Sequence, residues 1–503
     1  MVSPVARNSN GVLSVEFDRL SDPTGDLAQL CSGDVLSYAH GTTNCMYDRF
    51  CARTRIRYPI RIQLLWITQS QKGSNMRSGK RAWVAALSGT LIVAGGAAIA
   101  TPQAWSKPAA PQSGGTLGSI IRADTSQMNF SAPGIPGTVP ARSTRMTYAS
   151  STTNNSPTSV VGTYLEPLQP WTGPGARPLI AYAGGTQGQS DQCAPSAMLS
   201  QGVQFQPPAD AIVEYDLAPI YQMLARGMGV VITDYHDMGA PGIHDFLNRK
   251  TQGYAVLDSA RAALRLPGSG LNPRSPVMLY GYSQGGMGAG AAAELQPKYA
   301  PDLNVRGAYV GAPLVDPEFY IGRNDGRPGV APAIAWILNG IAADYPDTRP
   351  ALDAALNNTG KGILHDSMGK CGGGLGSSFV QPQNTSRWTT SGQPITAVID
   401  RTPVLKRAFD EQRLGGLGPS VPVRVYAARN DDAMPYPLVR TLAASWCGHG
   451  TPVQFQVDGS LPPMSGIVGT HDLAFFPSAA DSQQWITDRL ANVPAPVNCG
   501  ALP

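Results

Sequence analysis

Pro276-Val277-Met278-Leu279-Tyr280-Gly281-Tyr282-Ser283-Gln284-Gly285-Gly286 decides the reading of this chain. A short apolar strand, Pro276–Tyr280, runs straight into a Gly-x-Ser-x-Gly turn, and a helix of mostly small residues, Gly286–Leu295, follows it. The pentapeptide alone is a common accident in glycine-rich chains. Its place between a strand and a helix is what gives it meaning, because a serine held at such a sharp turn stands clear of the sheet. Gly281 and Gly285 remove side chains that would collide across the turn, and the helix N-terminus behind Ser283 favours developing negative charge.

A serine hydroxyl is a weak nucleophile until a base takes its proton, so a carboxylate and then a histidine should follow it in the chain. The histidines beyond Ser283 are His365, His449 and His471. His471 lies after the last strand, in a Pro/Gly-rich stretch (LPPMSGIVGTHD) read as a loop before the final helix, and is the expected base, with His449 second. The acid should come just after the preceding strand, where Val421–Ala428 runs into Asp431 and Asp432; either could orient His471, Asp431 being favoured over Asp432, and the other would be a solvated loop residue. Oxyanion donors are expected from the backbone N–H of Gln284 and from the loop Gly184–Asp191, with Thr186 or Gln187 as the second donor. His236, Asp237, His244 and Asp245 lack metal-ligand spacing and read as ordinary loop polarity, so no metal is expected. Lys370-Cys371-Gly372-Gly373-Gly374 follows no strand and lacks the Gly-Lys-Ser/Thr of a phosphate loop.

Outward from the elbow, Arg145–Ala149 and Ser159–Leu165 read as a hairpin. Leu179–Ala183, Gly229–Thr233, Val305–Val310, Val421–Ala428 and Val453–Val457 read as strands, and Leu217–Ala225, Thr251–Arg265 and Ser478–Leu490 as helices. Short apolar strands alternating with helices predict an α/β fold with a mainly parallel sheet covered on both faces. Between about 314 and 415 the strand rhythm stops, and helical pieces (Ala331–Ala343, Arg349–Leu356, Ile395–Arg413) suggest an inserted helical cap. Trp336, Ile337 and Leu338 in that cap could wall an acyl chain or simply pack a core.

The chain has 503 residues, of which 14% are charged, with a formal net charge of +4. With no basic helix or zinc-ligand array, nucleic acid is not an expected partner. Residues 82–100 form an uncharged apolar run behind Arg77, Lys80 and Arg81, the pattern of an export signal, with a weak membrane anchor as the alternative. Met76 precedes that flank, so residues 1–75 are expected to be a non-native extension, 76–104 the signal, 105–140 an irregular arm, and 141–503 the catalytic domain. Beyond residue 104 there are four cysteines, Cys193, Cys371, Cys447 and Cys499. An even number in an oxidising compartment points to two disulfides. Three pairings are possible; Cys193–Cys371 with Cys447–Cys499 is the one expected.

From about Ser119 onward the chain resembles the secretory lipase family, the group that includes the lipase A type of yeast. The resemblance rests on GTVPARSTRMTYAS, SVVGTYLEP, GGTQGQSDQCAPS, LARGMGVVITDY-x-x-MGAPGIH, GYSQGG, DDAMPY and GTHD, in that order. It implies an α/β-hydrolase core with a helical lid, and secreted or cell-envelope ester hydrolysis of the triacylglycerol lipase type. It matches nucleophile, acid and base to Ser283, Asp431 and His471, and the oxyanion loop to GGTQGQSD. The implied partners are an acyl-ester or lipid substrate and a transient lipid-interface contact, with a monomer expected and no cofactor. Two alternatives share these residues: an acyltransferase to a sugar or lipid hydroxyl, and an inactive binding protein on a hydrolase fold.

Overall fold

A computed structural model describes residues 115–126, 141–206, 210–239, 242–372, 383–464 and 469–503, together with a two-residue antiparallel ladder of Ala6–Arg7 on Leu13–Ser14. The apolar run 82–100 and the expected divisions at residues 75 and 104 lie outside the described residues. The ladder belongs to one compact unit, Met1–Ala98, and all else described here to the other, Ile99–Pro503.

That second unit is organised by a nine-stranded sheet. Its strands are β1 (Ile120–Ser126), β2 (Ala141–Ser151), β3 (Pro157–Pro167), β4 (Leu179–Ala183), β5 (Gly229–Thr233), β6 (Val277–Tyr282), β7 (Val305–Gly311), β8 (Val423–Ala428) and β9 (Val453–Asp458). Across the sheet they run β9-β8-β7-β6-β4-β5-β3-β2-β1. The six strands from β9 to β5 are mutually parallel, and the β1–β2–β3 meander joins β5 in antiparallel fashion. Strands β4, β5, β6 and β8 are buried along their whole length, as expected of parallel strands covered on both faces. Fully burying each Leu, Ile or Val side chain contributes about 1.5–3 kcal/mol, so this double-sided burial is the main support of the sheet.

Helices α1 (Arg249–Arg265), α2 (Gln284–Tyr299), α3 (Ala331–Asp344), α4 (Asn358–Met368), α5 (Tyr436–Gly448) and α6 (Gly469–Leu490) set the site. Helix α2 lies so close to the sheet that a Cβ on Gly285 would stand 2.1 Å from the Ala183 carbonyl oxygen, and one on Gly286 would stand 2.3 Å from that of Gly311. Only glycine permits this approach. Between β7 and β8 the described chain forms helices and no strand, including α3 and α4. Trp336, Ile337 and Leu338 are buried in the same continuous core as the sheet residues, which gives them a packing role rather than that of an open acyl wall.

Several expected boundaries are corrected. The segment read as an irregular arm contains β1, an edge strand whose residues are all exposed or half-buried. The long piece Ile395–Arg413 is two helices, Ile395–Arg401 and Pro403–Asp410, since Pro403 cannot continue the first and instead starts the second. Helix α6 begins at Gly469 and not after Pro477, so His471 stands in its first turn and not in a loop. Val203–Gln206 and Asp210–Val213 pair as a small antiparallel hairpin that the sequence reading lacked.

The disulfides are Cys193–Cys371 and Cys447–Cys499, as expected. The second joins residues 52 apart and ties the end of α5 to the C-terminal tail. Loop closure of that size stabilises by about 4 kcal/mol in the chain-entropy account. Replacing both Cys447 and Cys499 by Ser should therefore lower the melting temperature by several degrees without unfolding the protein at room temperature. Differential scanning calorimetry of the two forms checks this, and equal midpoints would contradict it.

Candidate active site

The parallel strands β4, β6 and β8 deliver their following residues to one edge of the sheet, the carboxyl ends where open α/β sheets place their sites. Ser283 follows β6 directly, with φ 60° and ψ −118°. For a residue with a Cβ this is a sparsely populated conformation, costing about 1–3 kcal/mol. The surroundings fix it there. Its N–H donates to Gly311 O at 3.0 Å, its carbonyl accepts from Met287 N at 3.0 Å, and Tyr282 pairs with Gly311 in the neighbouring strand. A Cβ on Gly281 would lie 2.0 Å from the Gly285 carbonyl oxygen, so the turn closes only with glycine at that position.

Three residues far apart in the chain meet here. His471 Nε2 lies 2.8 Å from Ser283 Oγ, and His471 Nδ1 lies 2.8 Å from Asp431 Oδ2. The other Asp431 oxygen accepts the backbone N–H groups of Ala433 at 2.9 Å and Met434 at 2.7 Å, which leaves Oδ2 aimed at the imidazole. Asp432 is not the solvated loop residue expected from the sequence. It is buried, and its Oδ1 accepts the backbone N–H of His471 at 3.1 Å, while Arg327 donates to its carbonyl at 2.6 Å. One aspartate thus holds the ring and its neighbour holds the backbone that carries the ring. Tyr282 adds a third restraint by donating its hydroxyl to His471 O at 2.7 Å. His449, the other candidate base, has its Nε2 3.2 Å from Gly415 O at the end of α5 and takes no part.

The loop after β4 sits against the elbow, as the contact between Gly285 and the Ala183 carbonyl requires. Gly185 N–H donates to Asp216 Oδ2 at 2.9 Å. Among the described residues the N–H groups of Thr186 and Gln187 meet no acceptor. The first N–H groups of a helix have no partner within it, and Gln284 opens α2. Neither Glu214, Tyr215 nor Asp216 stood out in the sequence, although two acids bracketing a tyrosine just before the helix at Leu217 was the available signal.

The remaining singled-out residues do other work. His236 lies 3.3 Å from Asp245, and its pKa is pushed up to about 9; burial opposes its charge, but Asp245, Asp237 and Asp344 outweigh that. His244 is fully buried, with a lowered pKa caused chiefly by desolvation, and its Nε2 lies 3.2 Å from the side-chain amide of Gln284. Among the described residues no group of three or more His, Cys, Asp or Glu is arranged to hold a metal ion.

The sheet order, the strained turn and the convergence at its mouth define an α/β-hydrolase. The family model described as "Secretory lipase" matches residues 203–498. The chain belongs to the secretory lipase family, a family of ester hydrolases. It is 26% identical to "Lipase A" of Arthroderma benhamiae, covering 70% of this chain and 71% of that protein. It is 27% identical to a Mycobacterium tuberculosis (strain CDC 1551 / Oshkosh) protein named "Probable inactive lipase MT1628", covering 71% and 75% respectively. Among solved structures, Candida antarctica lipase A superposes with a TM-score of 0.63 at 20% identity, over 77% of this chain and 85% of that one. The rice cell wall degrading esterase LipA of Xanthomonas oryzae does so with a TM-score of 0.60 at 17% identity, over 75% and 100%.

Burial disfavours a charged imidazole at His471, but the Asp431 carboxylate, by charge and hydrogen bond, with Asp472 and Asp432 behind it, raises its pKa above the ordinary 6.5. NMR titration of the ring should give a midpoint above 6.5. In Asp431→Asn, burial is left with much less to oppose it, and the midpoint should fall. A midpoint unmoved by the substitution would show that Asp431 does not carry the effect.

Proposed function

We propose that the chain is an exported serine ester hydrolase that cleaves acyl esters through an acyl-enzyme on Ser283. The observation that carries this reading is the continuous hydrogen-bonded chain from Asp431 through His471 to Ser283, with 2.8 Å at both links. His471 takes the hydroxyl proton as Ser283 attacks the ester carbonyl. Asp431 keeps the correct tautomer and stabilises the imidazolium; in a well-studied serine protease, losing that role lowers turnover about ten-thousandfold. The tetrahedral oxyanion is held by the N–H of Gln284 and by the 184–188 loop, each donor contributing on the order of a hundred- to a thousandfold. His471 then gives its proton to the leaving alcohol, and in the second half it activates the water that releases the acid.

Relatives named "Secreted triacylglycerol lipase", such as that of Malassezia furfur at 28% identity over 53% of this chain and 55% of that protein, support an acylglycerol substrate. Two disulfides and the apolar run behind Arg77, Lys80 and Arg81 support export. Among the described residues no helix is long and apolar enough to cross a membrane.

The test is turnover of p-nitrophenyl esters from acetate to palmitate, with wild type beside Ser283→Ala, and labelling with a fluorophosphonate probe. Wild type should turn over and label at Ser283, and the variant should lose at least about a thousandfold in kcat. Folded wild type that neither turns over nor labels would replace this reading with that of a binding protein on a hydrolase fold. Products moving to an added alcohol faster than to water would replace it with acyl transfer.

A further inference from the structure

We infer that Tyr215 and Asp216, backed by Glu214, are positioning residues that hold the loop after β4 in its oxyanion-binding shape. The inference rests on the reading of Ser283 as an acyl-ester nucleophile and extends it to residues that touch neither Ser283 nor His471.

Three consecutive residues grip three consecutive loop residues in reverse order. Asp216 Oδ2 accepts the N–H of Gly185 at 2.9 Å, Tyr215 donates its hydroxyl to the carbonyl of Thr186 at 2.9 Å, and Glu214 Oε1 accepts from the Gln187 side-chain amide at 3.2 Å. Glu214 Oε1 also accepts the backbone N–H of Asp216 at 3.2 Å, which ties the tripeptide to itself. From the other side Tyr235 donates its hydroxyl to Gly184 O at 2.7 Å, and Gly372 N–H donates to Gln187 O at 3.0 Å.

Peptide planarity turns these contacts into an orientation. In a trans peptide the carbonyl and the N–H point in opposite directions. The Gly184–Gly185 peptide is pinned at both ends, by Tyr235 and by Asp216. The Thr186–Gln187 peptide is pinned at its carbonyl by Tyr215, so the Gln187 N–H is turned away from Tyr215 and left for a ligand. Gly185 fits this grip because it has no side chain; a Cβ there would lie 2.3 Å from the Tyr215 hydroxyl. Tyr215 is itself set edge-on to Phe475 with ring centroids 5.4 Å apart, and Phe475 sits one helical turn after His471 on α6. The support for the oxyanion loop and the helix carrying the base therefore share a packed contact.

Asp216 is the charged member of the grip, and hydrogen bonds to charged acceptors are roughly twice as strong as neutral ones. It is buried, with Tyr182 donating to its Oδ1 at 2.8 Å. The titratable groups facing it are Glu214, Tyr182, Tyr215, Tyr235 and Tyr280. Burial pushes Asp216 up to about 6 against the opposing bonds from Gly185 and Tyr182, and burial also raises Glu214 well above the ordinary carboxylate range. Protonation of Asp216 weakens its hold on Gly185, so the loop loses definition on the same acid side on which His471 becomes charged.

The experiment compares wild type, Tyr215→Phe and Asp216→Asn in pH profiles of kcat and KM on one soluble p-nitrophenyl ester. It adds the affinity of a boronic acid that forms a tetrahedral adduct at serine, and a melting curve for each protein. Tyr215→Phe removes one oxygen and keeps the ring on Phe475. It should lower kcat about ten- to a hundredfold, with KM within about twofold and boronate affinity falling in step with kcat/KM. In wild type, as the pH is lowered, log kcat/KM should begin to fall above pH 6.5 as His471 takes a proton, and steepen from a slope of one toward two below about pH 6 as Asp216 takes another. In Asp216→Asn the slope should be one. Wild-type kcat and boronate affinity in Tyr215→Phe would overturn the inference while leaving the nucleophile intact, as would an unchanged slope in Asp216→Asn. Wild type that neither turns over nor labels at Ser283 would instead remove the reading on which the inference rests.

Discussion

The strained backbone at Ser283 is the constraint on which the rest depends. A left-handed residue between a central strand and its following helix is unfavourable in isolation. It persists because β6 is paired on both sides, because Gly311 receives the Ser283 N–H, and because Gly281, Gly285 and Gly286 let α2 settle against neighbouring backbone. The stability of the buried parallel strands offsets the local strain. The hydroxyl is therefore placed by the sheet and not by a mobile loop.

The imidazole proposed as the base is placed by the opposite route. His471 arrives on the first turn of a long helix, and three separate restraints converge on it: Asp431 on the ring, Asp432 on its N–H and Tyr282 on its carbonyl. A ring fixed at both backbone and side chain does not need to search for the serine. The two adjacent aspartates, which look redundant in sequence, divide that work because alternate residues in the turn after β8 face different neighbours.

The sheet could be read from sequence wherever strands are apolar on both faces. Leu179–Ala183 and Gly229–Thr233 fall where their continuous apolar runs place them. The edge strand Ile120–Ser126 escaped because the exposed Arg122 and the half-buried Asp124 break any apolar run. The start of α6 escaped because Pro477 reads as a breaker, yet the helix passes through it, accepting a missing N–H in the middle of a 22-residue element. Ser283, Asp431 and His471 could be named because chain order and strand ends constrain them. Asp216 and Tyr215 could not, since their contacts to the loop span about thirty residues and depend on how peptide planes turn in space.

The bridge between Cys193 and Cys371 has a mechanical corollary. Cys371 also pairs with Gly188 as an isolated β-bridge, and Gln189 and Ser190 donate to the carbonyl of Lys370. The end of α4 is in this way moored, by one covalent tie and several weaker ones, to the segment that runs on from the loop after β4. A displacement of that helix end would therefore be carried directly to the neighbouring loop segment and not dissipated in an untethered turn.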